Sequence, residues 1–394
     1  MENPLPSSGA FSRRIFLRQG GFGLGAAALA QLIGPARLAA SANPLAVMGY
    51  QDGGIPPGVN GYPQFPARIK RVIFLCMAGG PSHLETFDNK PKLVEMDGQP
   101  MPTSVTDGQP IAQLQKEGEL KVLRPQYAFN RHGESGQEIS DALPFTARMA
   151  DKICILRGMK TEQINHDPAH SFMNTGTAIS GRPSMGSWVV YGLGTENQNL
   201  PGFILIKPAL SHGGAKNWSS AFLPGTYQGT ALGHGGLYLE DVQNEPIKYL
   251  INKRFSPELA RYQLEMLQNM NRRHQLLRTH DTELEARIQA FELAFRMQTE
   301  APEAFEINKE SEPTKKLYGL EDPVTKDFAW QCLLARRLAE RGVRYIQCTH
   351  TYMPGGVGWD QHGELFAKHT VNAREVDKPI AGLLTDLKAR GLLK

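Results

Sequence analysis

Short, continuous apolar runs separated by helical stretches are the feature that most constrains how this chain folds. Such runs cover residues 71–77, 153–156, 203–206 and 343–348. Strands that are buried on both faces are apolar throughout, whereas strands with one solvated face alternate. Repetition of helix and then strand, as in the helix predicted over 138–150 before the second run, is typical of a parallel sheet. The sequence therefore predicts an α/β fold with a mostly parallel sheet and helices on both faces.

Helix signals frame the last apolar run. Asp322 and Pro323 predict the cap and the first residue of a helix, and Gly342 predicts its end. A second helix is predicted over 364–388. It is followed by Leu-Leu-Lys at 392–394, which predicts the start of a further strand. We therefore expect an α/β fold that is incomplete at its C-terminal end.

Residues 256–300 carry a different pattern, a long amphipathic stretch. Its apolar residues recur at spacings near 3.6, at Leu259, Tyr262, Met266, Met270, Leu277, Leu284, Ile288, Phe291 and Phe295. The pattern predicts an inserted helical hairpin that lies over the sheet with this stripe facing the core. A coiled-coil partner site is the alternative.

The first 42 residues predict an export signal rather than part of the fold. Arg13 and Arg14 precede a small-residue apolar stretch over 20–34, and an Ala-Ser-Ala cleavage site follows at 40–42. The paired arginines resemble the twin-arginine signal, whose export machinery moves folded proteins. The mature protein is therefore expected in the periplasm or outside the cell.

The remaining chain divides by composition. Residues 43–68 hold five prolines and several glycines, which predicts a linker or wrapping arm. Residues 69–394 hold all the predicted strands and are expected to form one domain, with the helical insertion at about 256–300.

Charge and composition exclude several classes of protein. Outside the signal, 39 Lys and Arg face 38 Asp and Glu, so no net charge favours nucleic acid. No apolar run reaches the roughly 18 residues that a bilayer span needs, so we expect no integral membrane span. The four cysteines lack Cys-x-x-Cys spacing, which excludes a thiolate zinc site and a disulfide scaffold.

Histidines and carboxylates after predicted strands are the candidate functional residues, because open α/β sheets bind ligands at the carboxyl ends of their strands. His83, Glu85 and Asp88 follow the first strand on a glycine-rich loop, and Asp360 and His362 follow the last. Imidazole together with carboxylate suits zinc, iron or manganese. These five residues are the predicted metal ligands. The alternative for each loop is a structural role, in which its aspartate stabilises a turn.

A third loop places two histidines around a predicted helix start. Asp167 is the predicted N-cap, with His166 just before it and His170 in the first turn. We predict that the two histidines act as ligand, nucleophile or acid–base group. The free N–H groups of a helix start bind anions such as phosphate or sulfate esters. Asp167 and Ser171 are therefore predicted to bind substrate, and structural histidines are the alternative.

The sequence leaves the role of four other histidines open. His212 and His234 lie beside glycines and are further candidates for substrate contact, and His350 and His369 lie near the loop of Asp360. The sequence alone does not choose among them.

Several of these segments together resemble one bacterial family. They are the strand at 71–75 leading into Gly-Gly-Pro-Ser-His at 79–83, His-Asp-Pro-Ala-His at 166–170, Thr-Gly at 175–176, and Trp-Asp-Gln-His-Gly at 359–363. The combination resembles the domain of unknown function 1501 over nearly the whole mature chain, and a twin-arginine leader is usual there. The resemblance implies the alkaline phosphatase and sulfatase superfamily, whose members hydrolyse phosphate or sulfate esters with divalent metals.

The resemblance thus implies an exported, metal-dependent ester hydrolase that acts on a small-molecule or glycan ester. Zinc is the expected metal, with iron or manganese as alternatives. His166 stands where sulfatases carry a Cys or Ser nucleophile, and His170 matches a histidine of cofactor-independent phosphoglycerate mutases. The missing hydroxyl or thiol supports a second hypothesis, a non-catalytic exported binding or envelope protein on a hydrolase scaffold.

Overall fold

A computed structural model describes most of the predicted domain. The described residues are 68–107, 120–248, 250, 254–276, 282–351 and 358–393. The predicted export signal and residues 43–67 of the predicted linker lie outside them.

The strands form two sheets. In chain order they are β1 (Val72–Met77), β2 (Phe129–His132), β3 (Gln137–Ser140), β4 (Phe203–Ile206), β5 (Thr230–Leu232) and β6 (Tyr345–His350). Four of them form a parallel sheet in the order β1, β6, β4, β5. The strands β2 and β3 form a separate antiparallel pair. The predicted α/β class with a mostly parallel sheet is confirmed.

Helices fill the connections between the strands. They are α1 (Pro91–Glu95), α2 (Thr103–Thr106), α3 (Pro144–Ala147), α4 (His166–Thr175), α5 (Met185–Leu193), α6 (Leu239–Asn244), α7 (Pro257–Leu276), α8 (Thr282–Phe305), α9 (Glu312–Tyr318), α10 (Lys326–Glu340) and α11 (Leu365–Ala389). Among the described helices, none is both long enough and apolar enough to cross a bilayer.

Alternate side chains of the sheet enter two different apolar clusters. In β4, Phe203 and Leu205 pack with Val190 of α5, whereas Ile204 and Ile206 pack with α8, α10 and α11. Burial of each such side chain stabilises the fold by about 1.5–3 kcal/mol. Because both faces are covered, the strands read as continuous apolar runs, which is the pattern in the sequence.

The register of the sheet brings the carboxyl ends of its strands to one edge. Met77 at the end of β1 pairs with His350 at the end of β6, and Ile206 at the end of β4 pairs with Cys348. The loops that follow these three strands therefore start side by side.

The strand predicted over residues 153–156 is wrong. Residues 153–156 have no strand partner within the described part of the chain. Ile153 and Ile155 pack against a small cluster around Ile139, while Cys154 and Leu156 are exposed. The segment is therefore half-buried extended chain, and its short apolar run does not reflect burial on both faces.

The helix predicted over 138–150 is also wrong in most of its length. Its first residues belong to β3, which pairs with β2, and only Pro144–Ala147 is α-helical. Pro144 explains where the helix starts, because proline fits the first helical position and not the interior of a helix.

Two other boundaries shift. The helix predicted from Asp322 begins at Lys326, because the side chain of Asp322 accepts the N–H of Val324 and closes a turn first. Residues 391–393 form a turn, not the predicted strand, and the N–H of Leu392 bonds to the carbonyl of Leu387. Lys394 lies outside the described residues.

The amphipathic stretch forms the paired helices α7 and α8. Its predicted stripe does not face the core throughout, because Leu259, Tyr262, Met266 and Met270 of α7 are exposed. The side of α7 that contacts α8 includes polar residues, such as Gln268, whose amide donates to Glu292 at 2.6 Å. Periodicity predicts the helix but does not tell which face is buried.

Candidate functional site

The helix α4 carries the two predicted catalytic histidines to the edge of the sheet. It begins at His166, after Asn165 in extended conformation, and ends at Gly176, whose φ of 76° closes it in the left-handed region. The predicted N-cap is therefore wrong, since Asp167 already lies inside the helix. His166 and His170 are one turn apart and so lie on the same side of α4.

The carboxylate of Asp360 joins two histidines. Its Oδ2 lies 2.9 Å from Nε2 of His166 and 2.8 Å from Nε2 of His362. Asp360 belongs to the loop after β6, whereas His166 begins α4, so the contact joins segments almost 200 residues apart. Two imidazole nitrogens thus converge on one carboxylate oxygen at the carboxyl edge of the sheet.

A third and a fourth histidine lie against this group. The ring of His212, in the loop after β4, is 4.5 Å from the ring of His166 and 5.2 Å from that of His170, centroid to centroid. His212 has a φ of 58°, a left-handed conformation that is uncommon outside glycine. Asn217 stabilises it by donating to the carbonyl of His212 at 2.8 Å. Strained backbone of this kind is concentrated at functional sites.

Burial, neighbouring charges and hydrogen bonds lower the pKa values of three residues in this group. Burial, assisted by His212 and His166, lowers the pKa of His170 to about 4, so this ring is neutral at pH 7. Burial also lowers the pKa of His212. Burial raises the pKa of Asp360, but hydrogen bonds from His166 and His362 outweigh it and keep the pKa below its usual value. Perturbed pKa values among neighbouring side chains are typical of functional sites.

Gly79 packs the loop after β1 against the loop of Asp360. Its N–H points to Nε2 of His170 at 3.4 Å. A Cβ at this position would lie 2.9 Å from the backbone nitrogen of Asp360, and the φ of 102° itself favours glycine. Only glycine allows so close an approach, which places Asp360 beside α4.

The comparisons with known proteins give one match. The family model described as "Protein of unknown function (DUF1501)" matches residues 69–394. The chain belongs to the DUF1501 family. No curated protein and no solved structure matches it.

In this DUF1501 protein, the predicted ligands on the loop after β1 have other contacts. Glu85 is buried and its Oε2 accepts the N–H of Gln126 at 2.7 Å. Burial raises the pKa of Glu85, although backbone N–H groups oppose the shift. Asp88 pairs with Lys90 at 2.7 Å, and His83 is exposed on a 3-10 turn. None of these contacts, within the described residues, is with Asp360. The role of the three residues as metal ligands stays a prediction.

The other predicted site residues of the DUF1501 chain are on α4. Ser171 is buried, and its carbonyl accepts the hydroxyl of Thr175 at 2.7 Å. Asp167 is exposed, and its charge opposes the lowering of the pKa of His170 and of His212. Asp167 therefore lies close to the histidines, whereas Ser171 is packed under the helix.

The sequence of this DUF1501 protein leaves His212 as an open candidate for substrate contact, alongside His234, and does not place it beside His166. The adjacent pair Gly213-Gly214 was a weak signal, because glycines beside a loop histidine allow unusual backbone conformations. The order of the sheet was needed to show that the loop after β4 lies beside the loop after β6.

The donor set of this DUF1501 site combines imidazole and carboxylate, which fits zinc, iron or manganese. In the described part of the chain, no three or more His, Cys, Asp or Glu side chains are grouped as a metal site. His166 and His362 are instead each hydrogen-bonded to Asp360. Ring nitrogens that carry a proton in these bonds must lose it to bind a metal ion.

Proposed function

We propose that this protein is an exported, metal-dependent hydrolase of phosphate or sulfate esters. The observation that carries the proposal is the convergence of His166 and His362 on Oδ2 of Asp360, beside His170 and His212. Four histidines and a carboxylate at the carboxyl edge of a parallel sheet are a chemically reactive set in the position where such sheets bind ligands.

His166, Asp360 and His362 are the residues that would hold the metal ion. When bound, a divalent ion supplies Lewis-acid polarisation of the ester oxygen. Contacts within the chain fix the orientation of these ligands, since Gly79 packs against the backbone of Asp360 and α4 carries His166. His83, Glu85 and Asp88 stay the further ligands that the sequence predicts.

The remaining groups of the site fit the binding of an anionic ester. The helix α4 begins at His166, beside Asp360, and backbone N–H groups at a helix start favour anions. His170, with a pKa of about 4, is neutral at pH 7 and can accept a hydrogen bond or donate one from its second ring nitrogen. His166 has two possible roles, as metal ligand or as nucleophile. The first is favoured because Nε2 already lies beside Asp360.

The proposal extends to the fold. A parallel sheet with helices on both faces, and with its histidines after β1, β4 and β6, supports an alkaline phosphatase-like scaffold with α7 and α8 as an insertion. The family membership supports the same assignment through the resemblance given above, in which His166 takes the nucleophile position.

The decisive experiment is elemental analysis of the purified protein. We expect about one equivalent or more of zinc, iron or manganese in the wild type and little in Asp360→Asn and His362→Ala. The exposed residues Asp241 and His274 give matched controls, since Asp241→Asn and His274→Ala should keep the metal. Equal metal content in Asp360→Asn and wild type, or no metal in either, would contradict the proposal and favour the non-catalytic binding protein.

The substrate class is tested with para-nitrophenyl phosphate and para-nitrophenyl sulfate. The metal-loaded wild type is expected to release nitrophenolate from one of them, and chelation or Asp360→Asn is expected to stop the release. A phosphoryl adduct on His166 that is stable to base and labile to acid would assign it as nucleophile instead of ligand.

Export is tested with the leader, which lies outside the described residues. The double substitution Arg13→Lys and Arg14→Lys should leave the precursor in the cytoplasm, because the export machinery recognises the arginine pair. Replacement of Arg37 by Lys, in the same leader but away from the pair, is the control. Normal export of the double variant would contradict the twin-arginine assignment.

A further inference from the structure

The outer face of α7 is an exposed apolar stripe. Tyr262 is 69% exposed, Met266 is 62% exposed and Leu276 is 76% exposed, and Leu259 lies on the same side. The opposite side of the helix contacts α8 through hydrogen bonds from Gln268 and Gln275. Contiguous exposed apolar surface of this kind is uncommon on monomers and marks interaction sites.

At Met266 the stripe borders an apolar groove, which α7 and α8 line together with Gly225, Thr230, Ile247 and Leu250. The groove has a volume of about 900 Å³, and Met266, Leu267 and Met270 of α7 line it together with Phe291 of α8. Phe291 is itself exposed, as is Leu267. Exposed apolar side chains of α7 therefore lie both along the stripe and at the edge of this groove.

We propose that this face is a self-association surface, on which α7 of a second copy of the chain packs antiparallel about a two-fold axis. Residues 259, 262, 266, 269, 273 and 276 alternate at spacings of three and four, which is the seam of a coiled-coil helix. Two identical surfaces that face each other across a two-fold axis form a closed dimer.

One antiparallel register pairs this seam throughout. It places Leu259 against Leu276 of the second copy, and Met266 against Asn269 of the second copy. Tyr262 then lies against Arg273 of the second copy, where a guanidinium is attracted to the face of an aromatic ring. The two-fold axis repeats each of these contacts.

The charges beside the seam agree with the same register. Glu265 of one copy comes next to Arg272 of the second copy, and the axis repeats the pair. The parallel alternative places Arg273 against Arg273 of the second copy within the seam, where like charges repel. The charge pattern of α7 therefore favours an antiparallel pair of this chain with itself.

The oligomeric state of the full chain tests the surface. Sedimentation equilibrium should give a dimer for the wild type and a monomer for Met266→Glu, which places two carboxylates near the axis. Met159, which is 75% exposed and lies elsewhere, gives the matched control. Met159→Glu should stay dimeric. A wild type that is monomeric over the accessible concentrations would overturn the proposal, whatever other partner covers the face.

A charge swap tests the register. Glu265→Lys and Arg272→Glu should each weaken the dimer at least threefold, since each leaves two like-charged contacts. The double variant should recover most of the wild-type affinity, because the pair is restored with its signs exchanged. Additive losses in the double variant would exclude this register.

Engineered cysteines test the direction of the helices, in a Cys154→Ser background that removes the exposed native thiol. Leu259→Cys together with Leu276→Cys should give a disulfide-linked dimer on mild oxidation. Leu276→Cys alone should not, because the two copies of residue 276 lie at opposite ends of an antiparallel pair, roughly 25 Å apart. A cross-linked dimer of Leu276→Cys alone would indicate a parallel pair and overturn the proposal.

Discussion

Nδ1 of His350 accepts a hydrogen bond from the indole Nε1 of Trp359 at 2.8 Å, and both side chains are buried. Because an indole nitrogen can only donate, Nδ1 carries no proton, and the neutral ring keeps its proton on Nε2. That Nε2 lies 2.8 Å from Oε2 of Glu375 on α11. His350, the last residue of β6, thus connects Trp359, which directly precedes Asp360, to the helix α11.

Replacement of His350 by Phe should free the loop of Asp360 and destabilise the protein. The indole N–H of Trp359 would be left buried without its acceptor, which costs about 1–3 kcal/mol. Urea unfolding measures this loss. In ¹⁵N spectra, the indole resonance of Trp359, assigned with Trp359→Phe, should shift and exchange faster with water.

Glu375→Gln is the control for this prediction. The amide oxygen of glutamine can still accept the N–H of His350, so the indole resonance of Trp359 should stay near its wild-type position. An unchanged indole resonance in His350→Phe would show that this hydrogen bond does not hold the loop.

The fold could be predicted where burial determines which residue types occur in a segment. The runs that form β1 and β4 are apolar throughout, and the run that begins β6 is interrupted only by Arg344 and Gln347, because both faces of the sheet are covered. The short edge strand β5 and the β2–β3 hairpin were missed, because three or four residues with mixed exposure give no such run. Pairing, rather than local sequence, makes them strands.

The site could be predicted only as separate candidates. His166, Asp360 and His362 were each chosen from their loops, but their contact depends on the order of the strands. Glu85 looked like a loop ligand because it follows a glycine-rich turn. Its burial against the N–H of Gln126 depends on a segment 41 residues away, which no local pattern reveals.

Substitution of Gly79 by Ala should destabilise the protein and displace the loop of Asp360. The new Cβ would lie 2.9 Å from the nitrogen of Asp360, and the left-handed backbone adds strain. Gly80 is the matched control, since it has a φ of 82° but open space around its Cβ position. Urea unfolding should give a loss larger by about 1–3 kcal/mol for Gly79→Ala than for Gly80→Ala. Equal losses would show that the loop yields to the methyl group.

His369 should make the protein sensitive to acid. It is fully buried on α11, and neither ring nitrogen has a hydrogen-bond partner among the described residues. Burial lowers its pKa to about 4, so the unfolded chain takes up this proton at higher pH than the folded protein does. Stability is therefore complete above the unfolded pKa, near 6.5, and falls as the pH drops toward 4.

The variant His369→Leu should lose less stability in acid. Between pH 7 and pH 4.5, protonation of His369 is expected to lower the free energy of unfolding of the wild type by about 2.5 kcal/mol. The variant should not show this loss. Urea unfolding at both pH values measures the difference. The exposed His274 is the control, and His274→Leu should keep the acid sensitivity of the wild type. An acid loss in His369→Leu as large as in the wild type would contradict the assignment.

Replacement of two helical glycines by alanine should change the free energy of unfolding in opposite directions. In an open helix position, alanine is more stable than glycine by up to about 1 kcal/mol, because glycine loses more backbone entropy on folding. Gly192 of α5 has open space around its Cβ position. Gly382 of α11 packs against α9, and a Cβ there would lie 2.7 Å from the carbonyl oxygen of Leu317.

The clash at Gly382 should outweigh the gain in helix propensity. Gly382→Ala would force α11 away from α9, and overpacking of this kind costs about 1–3 kcal/mol. We therefore expect Gly382→Ala to lower the free energy of unfolding and Gly192→Ala to leave it equal or raise it. Thermal and urea unfolding of the two variants measure the signs. A stabilised Gly382→Ala would mean that α9 and α11 separate at little cost, and that their close contact contributes little to the stability of the protein.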